Sequence, residues 1–142
     1  MRIRSKRGSL SPRGASRKYD RLPVMFDFDP PKSMSLMQTV TTLARMSRFV
    51  IADITNAKSV IGELEAAVKH LPRVVFLPLL CKGARPWGMF SDLADYPWVL
   101  PPKKYSDAED VRGSVAGWIE EAEQHSLALD QNRAARLRDF NE

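Results

Sequence analysis

Apolar and polar positions alternate with two different periods along this chain. Four short runs of consecutive apolar residues have the pattern of strands that are covered on both faces. They occupy residues 22–29, 48–54, 73–80 and 98–105. Three other segments repeat apolar residues every three or four positions, which predicts amphipathic helices. They occupy residues 35–47, 59–71 and 106–123. This alternation predicts an α/β domain, in which a parallel sheet of about four strands has flanking helices and right-handed crossovers.

Two local features make narrower predictions. Pro78 stands within the third apolar run, and because proline has no N–H to donate, it predicts an edge strand or a late bend. Ser106 and Glu109 have the spacing of a capping box, which predicts that the last helix begins just after Ser106. Residues 86–96 are expected to form a loop with a short helix, and 126–142 a charged helical tail.

Positive charge is concentrated at the N-terminus. The chain has a formal net charge of +5, and residues 1–21 hold eight Lys and Arg residues against the single acid Asp20. Residues 1–20 are rich in Ser, Gly, Arg and Pro, so we expect a basic disordered leader ahead of a domain at 21–125. A basic leader can bind nucleic acid. No nucleic-acid motif accompanies it, so a solvated leader is the favoured interpretation.

Several classes of site have no support in the sequence. Neither GxGxxG nor GxxxxGK[ST] occurs, so nothing favours a Rossmann dinucleotide site or a P-loop. His70 and His125 lie in different predicted helices and away from Cys81, the single cysteine. We therefore expect no metal site and no internal disulfide. No apolar run is long enough for a membrane span and no secretory signal is present, so a cytoplasmic protein is expected.

Carboxylates follow the predicted strands at the edge where parallel sheets bind ligands. Asp27 and Asp29 close the first strand, Asp53 closes the second, and Glu63 lies in the first turns of the next helix. Such groups can accept hydrogen bonds from ribose hydroxyls, or stabilise the oxocarbenium-like charge of a breaking glycosidic bond. A structural interpretation stays open beside this one. An acid near a helix start is stabilised by the helix dipole, and an aspartate often caps a turn.

Two stretches of the sequence resemble a known family. LPVMFDFDPP (22–31) and TVTTLARMSRFVIADITNAKSVIGELEAAV (39–68) resemble bacterial Toll/interleukin-1 receptor (TIR)-like domains, which are related at fold level to nucleoside 2-deoxyribosyltransferases. The resemblance covers roughly residues 19–105 and implies a flavodoxin-like fold with strand order 2-1-3-4-5. That fold begins with a strand and helix ahead of LPVMFDFD. Residues 1–20 do not supply this unit, so we expect the N-terminal strand of the fold to be missing.

The resemblance also implies a chemistry. Enzymatic TIR domains cleave NAD at the nicotinamide–ribose bond with a glutamate near the start of the helix after the third strand, and Glu63 matches that position. Glu63 is therefore the implied catalytic residue, and NAD the implied substrate, with no further cofactor. The residues implied to line the nucleotide pocket are Asp27, Asp29, Asp53, Asn56 and Ser59.

Two functional hypotheses result. The first is cleavage of the glycosidic bond of NAD or of a nucleoside, in bacterial defence or stress signalling. The alternative is a non-catalytic interaction module, in the extreme an inactive fragment of a longer protein. Such a module would assemble with a second copy or with other TIR-like domains through an unpaired sheet edge and its outer helices.

Overall fold

The computed structural model describes residues 35–55, 61–86 and 90–140, with side-chain surroundings for 40–55, 65–86 and 90–140. The strand predicted at 22–29 and the basic leader predicted at 1–20 lie outside these ranges.

Strands and helices alternate along the described residues. The strands are β1 (Phe49–Asp53), β2 (Val75–Cys81) and β3 (Lys103–Tyr105). The helices are α1 (Ser35–Met46), α2 (Ile61–Lys69), α3 (Phe90–Ala94) and α4 (Ala108–Asp139). The α/β class, the parallel sheet and the flanking helices are thereby confirmed. Within the described part of the chain the sheet has three strands, fewer than the sequence predicts.

The sheet has the order β1-β2-β3 with both pairs parallel, so β2 is central. Phe49 of β1 stands opposite Val75 of β2, and this register holds through Asp53 and Leu79. On the other side, an isolated bridge joins Phe76 to Val99, and the β3 ladder starts with Leu79 opposite Lys103. The register therefore shifts by one residue between the bridge and the ladder, where Pro101 and Pro102 lie.

The prediction that Pro78 marks an edge strand is wrong, because Pro78 is fully buried in the central strand. Phe76 and Lys82 both donate their backbone N–H toward the β3 side, to Trp98 and Tyr105. Backbone groups alternate between the two neighbours along a strand, so the nitrogen of Pro78 also faces this side. It falls where the register shifts, and the missing N–H therefore interrupts no regular ladder.

Both faces of β2 are covered, which explains its uninterrupted apolar sequence. On one face, Phe76 and Leu80 pack with Val68 of α2 and Leu93 of α3. On the other face, the intervening side chains of β2 pack against α4, where they contact Ala122 and, at the margin of the cluster, Trp118. These side chains of β2 are Val75, Leu77 and Leu79. A third cluster joins α1 to α2 through Ala44 and Ala67. The sheet and its helices are thus held together mainly by β2.

The last helix begins one residue later than the capping-box spacing predicts. Asp107, and not Ser106, is the N-cap, and its Oδ1 accepts from the backbone N–H groups of Glu109 and Asp110 at 2.9 Å. Ser106 instead donates its own N–H to Asp110 Oδ2 at 2.8 Å. The helix then runs without a break to Asp139, so the predicted boundary between a domain at 21–125 and a tail at 126–142 falls inside this helix.

A candidate site at the carboxyl edge of the sheet

The carboxyl ends of all three described strands carry polar side chains. Asp53 ends β1, Cys81 ends β2 and Tyr105 ends β3. Because both strand pairs are parallel, these ends meet at one edge, the position at which open α/β sheets bind ligands. We call this set, together with Thr55, the strand-end cluster.

The hydroxyl of Thr55 takes the place of a backbone acceptor at the end of the β1–β2 ladder. Val75 of β2 donates to Arg48, and Ile54 donates back to Leu79 at 2.9 Å. The same alternation turns the N–H of Cys81 toward the chain just beyond β1. There it donates to Thr55 Oγ1 at 2.8 Å. The Thr55 side chain thus accepts from a backbone N–H at the end of β2 that would otherwise need a backbone acceptor from a longer β1.

Asp53 is held by two donors from different parts of the edge. Its Oδ1 accepts from the backbone N–H of Thr55 at 2.9 Å, which is an Asx-turn that closes the end of β1. Its Oδ2 accepts from the hydroxyl of Tyr105 at 2.6 Å. Asp53 is nevertheless solvent-exposed. An ionised carboxylate has about four acceptor positions, and the side chain of Thr55 also hydrogen-bonds to it, so some acceptor capacity remains for a ligand.

The hydrogen bonds of the strand-end cluster have a common direction. The hydroxyl of Tyr105 donates to Asp53, so its oxygen can accept from Thr55, whose Oγ1 lies 3.5 Å away. Thr55 in turn accepts from Cys81. Each donor along this path strengthens the next one, although the 3.5 Å step is long for a hydrogen bond between hydroxyls. The path ends on the carboxylate of Asp53.

The pKa values of both partners shift as this arrangement requires. Partial burial raises the pKa of Asp53, but the hydrogen bonds from Thr55 and Tyr105 together outweigh it and lower the pKa below 3.8. The hydrogen bond to Asp53 is the main reason why the pKa of Tyr105 rises above 10.0. Near neutral pH the pair is therefore a carboxylate and a neutral phenol, which is an acceptor held by a donor.

A second polar group borders the strand-end cluster. Lys82 follows β2 in a turn that requires positive φ at Gly83 (φ 85°), and its Nζ lies 3.7 Å from Asp110 Oδ2. The hydrogen bond from the backbone of Ser106 is the main cause that lowers the pKa of Asp110. Asp107 and Asp110 thus occupy the N-terminus of α4 with the protein's own carboxylates, which leaves this helix end poorly suited to bind a phosphate.

The structure describes the predicted site residues unequally. Asp53 lies at the carboxyl edge with its side chain described. Glu63 lies in the first described turn of α2, and its side chain is outside the described part. Four other predicted residues lie entirely outside the described residues: Asp27, Asp29, Asn56 and Ser59. The pocket implied by the family resemblance therefore stays a prediction, with Asp53 as its described member.

Tyr105 is absent from the residues that the sequence singles out, although a usable signal was present. It is the last residue of the final predicted strand, WVLPPKKY, so the carboxyl-edge rule that selects Asp53 also selects Tyr105. Cys81, which ends β2, is a partly buried free thiol.

No His, Cys, Asp and Glu side chains within the described ranges form a group of three or more that could hold a metal ion. Among the described helices, none combines the length and apolar character needed to cross a membrane. Comparisons of the chain with protein-family models, with curated proteins and with solved structures found no match.

Proposed function

We propose that this chain is a TIR-like domain that cleaves the glycosidic bond of NAD or of a nucleoside at the carboxyl edge of its sheet. The observation that carries the proposal is the exposed Asp53 carboxylate, which Thr55 and Tyr105 hold in its ionised form at the meeting point of three strand ends. A fixed carboxylate with free acceptor positions suits the hydroxyls of a ribose.

The order of the described strands supports this assignment. In a flavodoxin-like sheet of order 2-1-3-4-5, the last three strands are consecutive neighbours, and β1, β2 and β3 have that arrangement. Helix α2 follows β1, as the helix with the family's glutamate follows the third strand.

Glu63 would act on the bond that breaks. A helix that follows a parallel strand starts at the carboxyl edge, which brings the first turn of α2, and Glu63 with it, toward Asp53. Nicotinamide leaves with the electron pair of the C1′–N bond, and the carboxylate of Glu63 stabilises the positive charge on the ribose. Water then adds to C1′ and releases a proton. Asp53 binds ribose hydroxyls during these steps and keeps the sugar in place.

The test is the release of nicotinamide from NAD by the full chain, and of the base from nucleosides. We expect Glu63→Gln to lower the rate about 100-fold or more, the usual effect of removing a group that stabilises transition-state charge. Asp53→Asn should mainly raise KM, because the amide binds hydroxyls less strongly than the carboxylate.

The matched control is Glu120→Gln, which neutralises an exposed acid on α4 and should leave the rate unchanged. Equal rates for Glu63→Gln and the wild-type chain would remove the mechanism. If neither NAD nor any nucleoside is cleaved at any protein concentration from low to high micromolar, the activity itself is refuted.

Exposed apolar side chains favour a second function, a non-catalytic module that assembles with TIR-like domains. Met46, Leu127 and Phe140 are 80%, 46% and 88% exposed, and exposed apolar residues mark sites of association where they form a contiguous patch. This hypothesis predicts that the full chain sediments as a dimer or a larger species at tens of micromolar. Monomeric sedimentation at that concentration would count against it.

A further inference from the structure

We infer that Tyr105 is a positioning residue of the carboxyl edge, which fixes the orientation of the Asp53 carboxylate toward a bound ribose. This inference rests on the proposed function for the identity of the ligand. The positioning itself can be measured on the chain without any ligand.

The geometry separates this role from simple packing. The ring of Tyr105 packs at the margin of the cluster formed by β2 and α4, while its hydroxyl reaches across β2 to Asp53 Oδ2 at 2.6 Å. Strands β1 and β3 are not neighbours in the sheet. The phenol is thus a direct link between two strand ends that share no backbone hydrogen bonds.

Thr55 lies beside this link and is itself held in place. Thr55 Oγ1 lies 3.5 Å from the phenol oxygen and is itself bound by the N–H of Cys81. With Oδ1 bound by the N–H of Thr55, both oxygens of Asp53 have one fixed partner each. The carboxylate plane is therefore set before a ligand arrives, which lowers the ordering cost of binding.

Few titratable groups surround this contact among the described residues. Cys81 stands at the end of β2, and its charge contributes to raising the pKa of Tyr105. Lys82 donates its backbone N–H to the carbonyl of Tyr105, while its ammonium pairs with Asp110 on α4. The ionisation of Asp53 should thus respond chiefly to its hydrogen bonds from the side chain and the backbone N–H of Thr55 and from the hydroxyl of Tyr105.

The experiment compares the wild-type chain with Tyr105→Phe, which keeps the ring and removes the hydroxyl. We expect the pKa of Asp53, followed by carbon-13 NMR of its carboxyl group, to rise in Tyr105→Phe. For cleavage of NAD, KM should rise roughly 2- to 10-fold, the factor that one hydrogen bond represents, while kcat changes less. Tyr96→Phe is the matched control. Tyr96 stacks on Trp98 with ring centroids 4.8 Å apart, beside the cluster on the opposite face of β2.

A reciprocal measurement covers the case in which Tyr105→Phe does not fold. In Asp53→Asn the phenol loses its carboxylate partner, so the pKa of Tyr105 should fall toward its ordinary value. An Asp53 pKa that is the same in Tyr105→Phe and wild type, or a Tyr105 pKa unaffected by Asp53→Asn, overturns the positioning role. If both pKa values shift as expected but the wild-type chain cleaves neither NAD nor nucleosides, the positioning stands and the proposed function fails.

Discussion

Replacing Thr55 by valine removes the hydroxyl that joins the ends of β1 and β2. Valine keeps the branched shape of threonine and nearly the same volume, so packing changes little. The N–H of Cys81 loses its acceptor at 2.8 Å, and the 3.5 Å contact with Tyr105 is lost as well. The Asx-turn from the N–H of Thr55 to Asp53 uses the backbone and is preserved.

The size of the effect follows from the environment of that N–H. A buried donor left without a partner costs about 1–3 kcal/mol. The Cys81–Thr55 bond is only partly buried, so water can replace part of it, and we expect the lower half of that range, about 1–2 kcal/mol. Thr55→Ser keeps the hydroxyl and removes one methyl group, which costs at most about 0.8 kcal/mol if fully buried. Thr55 is only partly buried, so we expect Thr55→Ser to lower the free energy of unfolding by about 0.5 kcal/mol.

The assay is urea unfolding of the full chain, followed by the fluorescence of its three tryptophans. The slope of the unfolding free energy against urea should be the same for wild type, Thr55→Val and Thr55→Ser, so that midpoints compare directly. The reasoning predicts that Thr55→Val is clearly less stable than Thr55→Ser. If the two variants are equally stable, or if Thr55→Val matches the wild type, the hydroxyl does not hold the strand ends together.

Three further predictions concern stability. Leu77→Ala, in the fully buried centre of β2, should lower the free energy of unfolding by about 2–5 kcal/mol. Leu127→Ala, at a position that is 46% exposed, should change it by less than about 0.5 kcal/mol. Similar losses of unfolding free energy in the two variants would contradict the described core. Asp107→Ala removes the N-cap of α4 and should lower stability by about 0.5–2 kcal/mol, whereas Asp130→Ala, at an exposed position of the same helix, should change stability little. Circular dichroism during thermal unfolding measures both variants. Equal melting temperatures would contradict the role of Asp107 as the N-cap. The folded state lowers the pKa of Asp53 below 3.8, so its contribution is fully present above the unfolded pKa and is lost as the pH falls through the folded pKa. The stability difference between wild type and Asp53→Asn should therefore shrink from pH 7 to pH 3, and a difference independent of pH would contradict the hydrogen-bonded carboxylate.

Hydrophobic periodicity was sufficient to predict most of the described fold. The continuous apolar run at 73–80 predicts a strand covered on both faces, and Leu77 and its neighbours have this environment. The failure at Pro78 has a clear physical origin. Proline is excluded from central strands because it cannot donate to a ladder, but a local shift of register removes the need for that hydrogen bond. Such a shift depends on the partner segment, Pro101 and Pro102, and no local pattern reveals it.

The candidate site was less predictable than the fold. Asp53 could be identified because a polar residue that ends an apolar parallel strand must lie at the carboxyl edge of the sheet, where open α/β sheets in general bind ligands. The contact between Asp53 and Tyr105 joins residues far apart in the sequence, and it depends on the order of the strands in the sheet. Strand order comes from tertiary packing, and periodicity does not encode it. The helix start illustrates the same limit, because Ser106 and Asp107 are both good cap residues and the structure uses Asp107.

The most direct test of the central claim is to locate a nucleotide on the chain by NMR. The Glu63→Gln variant, which should bind NAD without consuming it, is labelled with nitrogen-15 and titrated with NAD. The account predicts that the largest amide shifts fall at the carboxyl edge, at Thr55, Cys81 and Tyr105, while Phe49 and Val75 at the opposite end of the strands shift little. Shifts concentrated away from the carboxyl edge, or no shifts at millimolar NAD, would contradict the assignment of this edge as the ligand site.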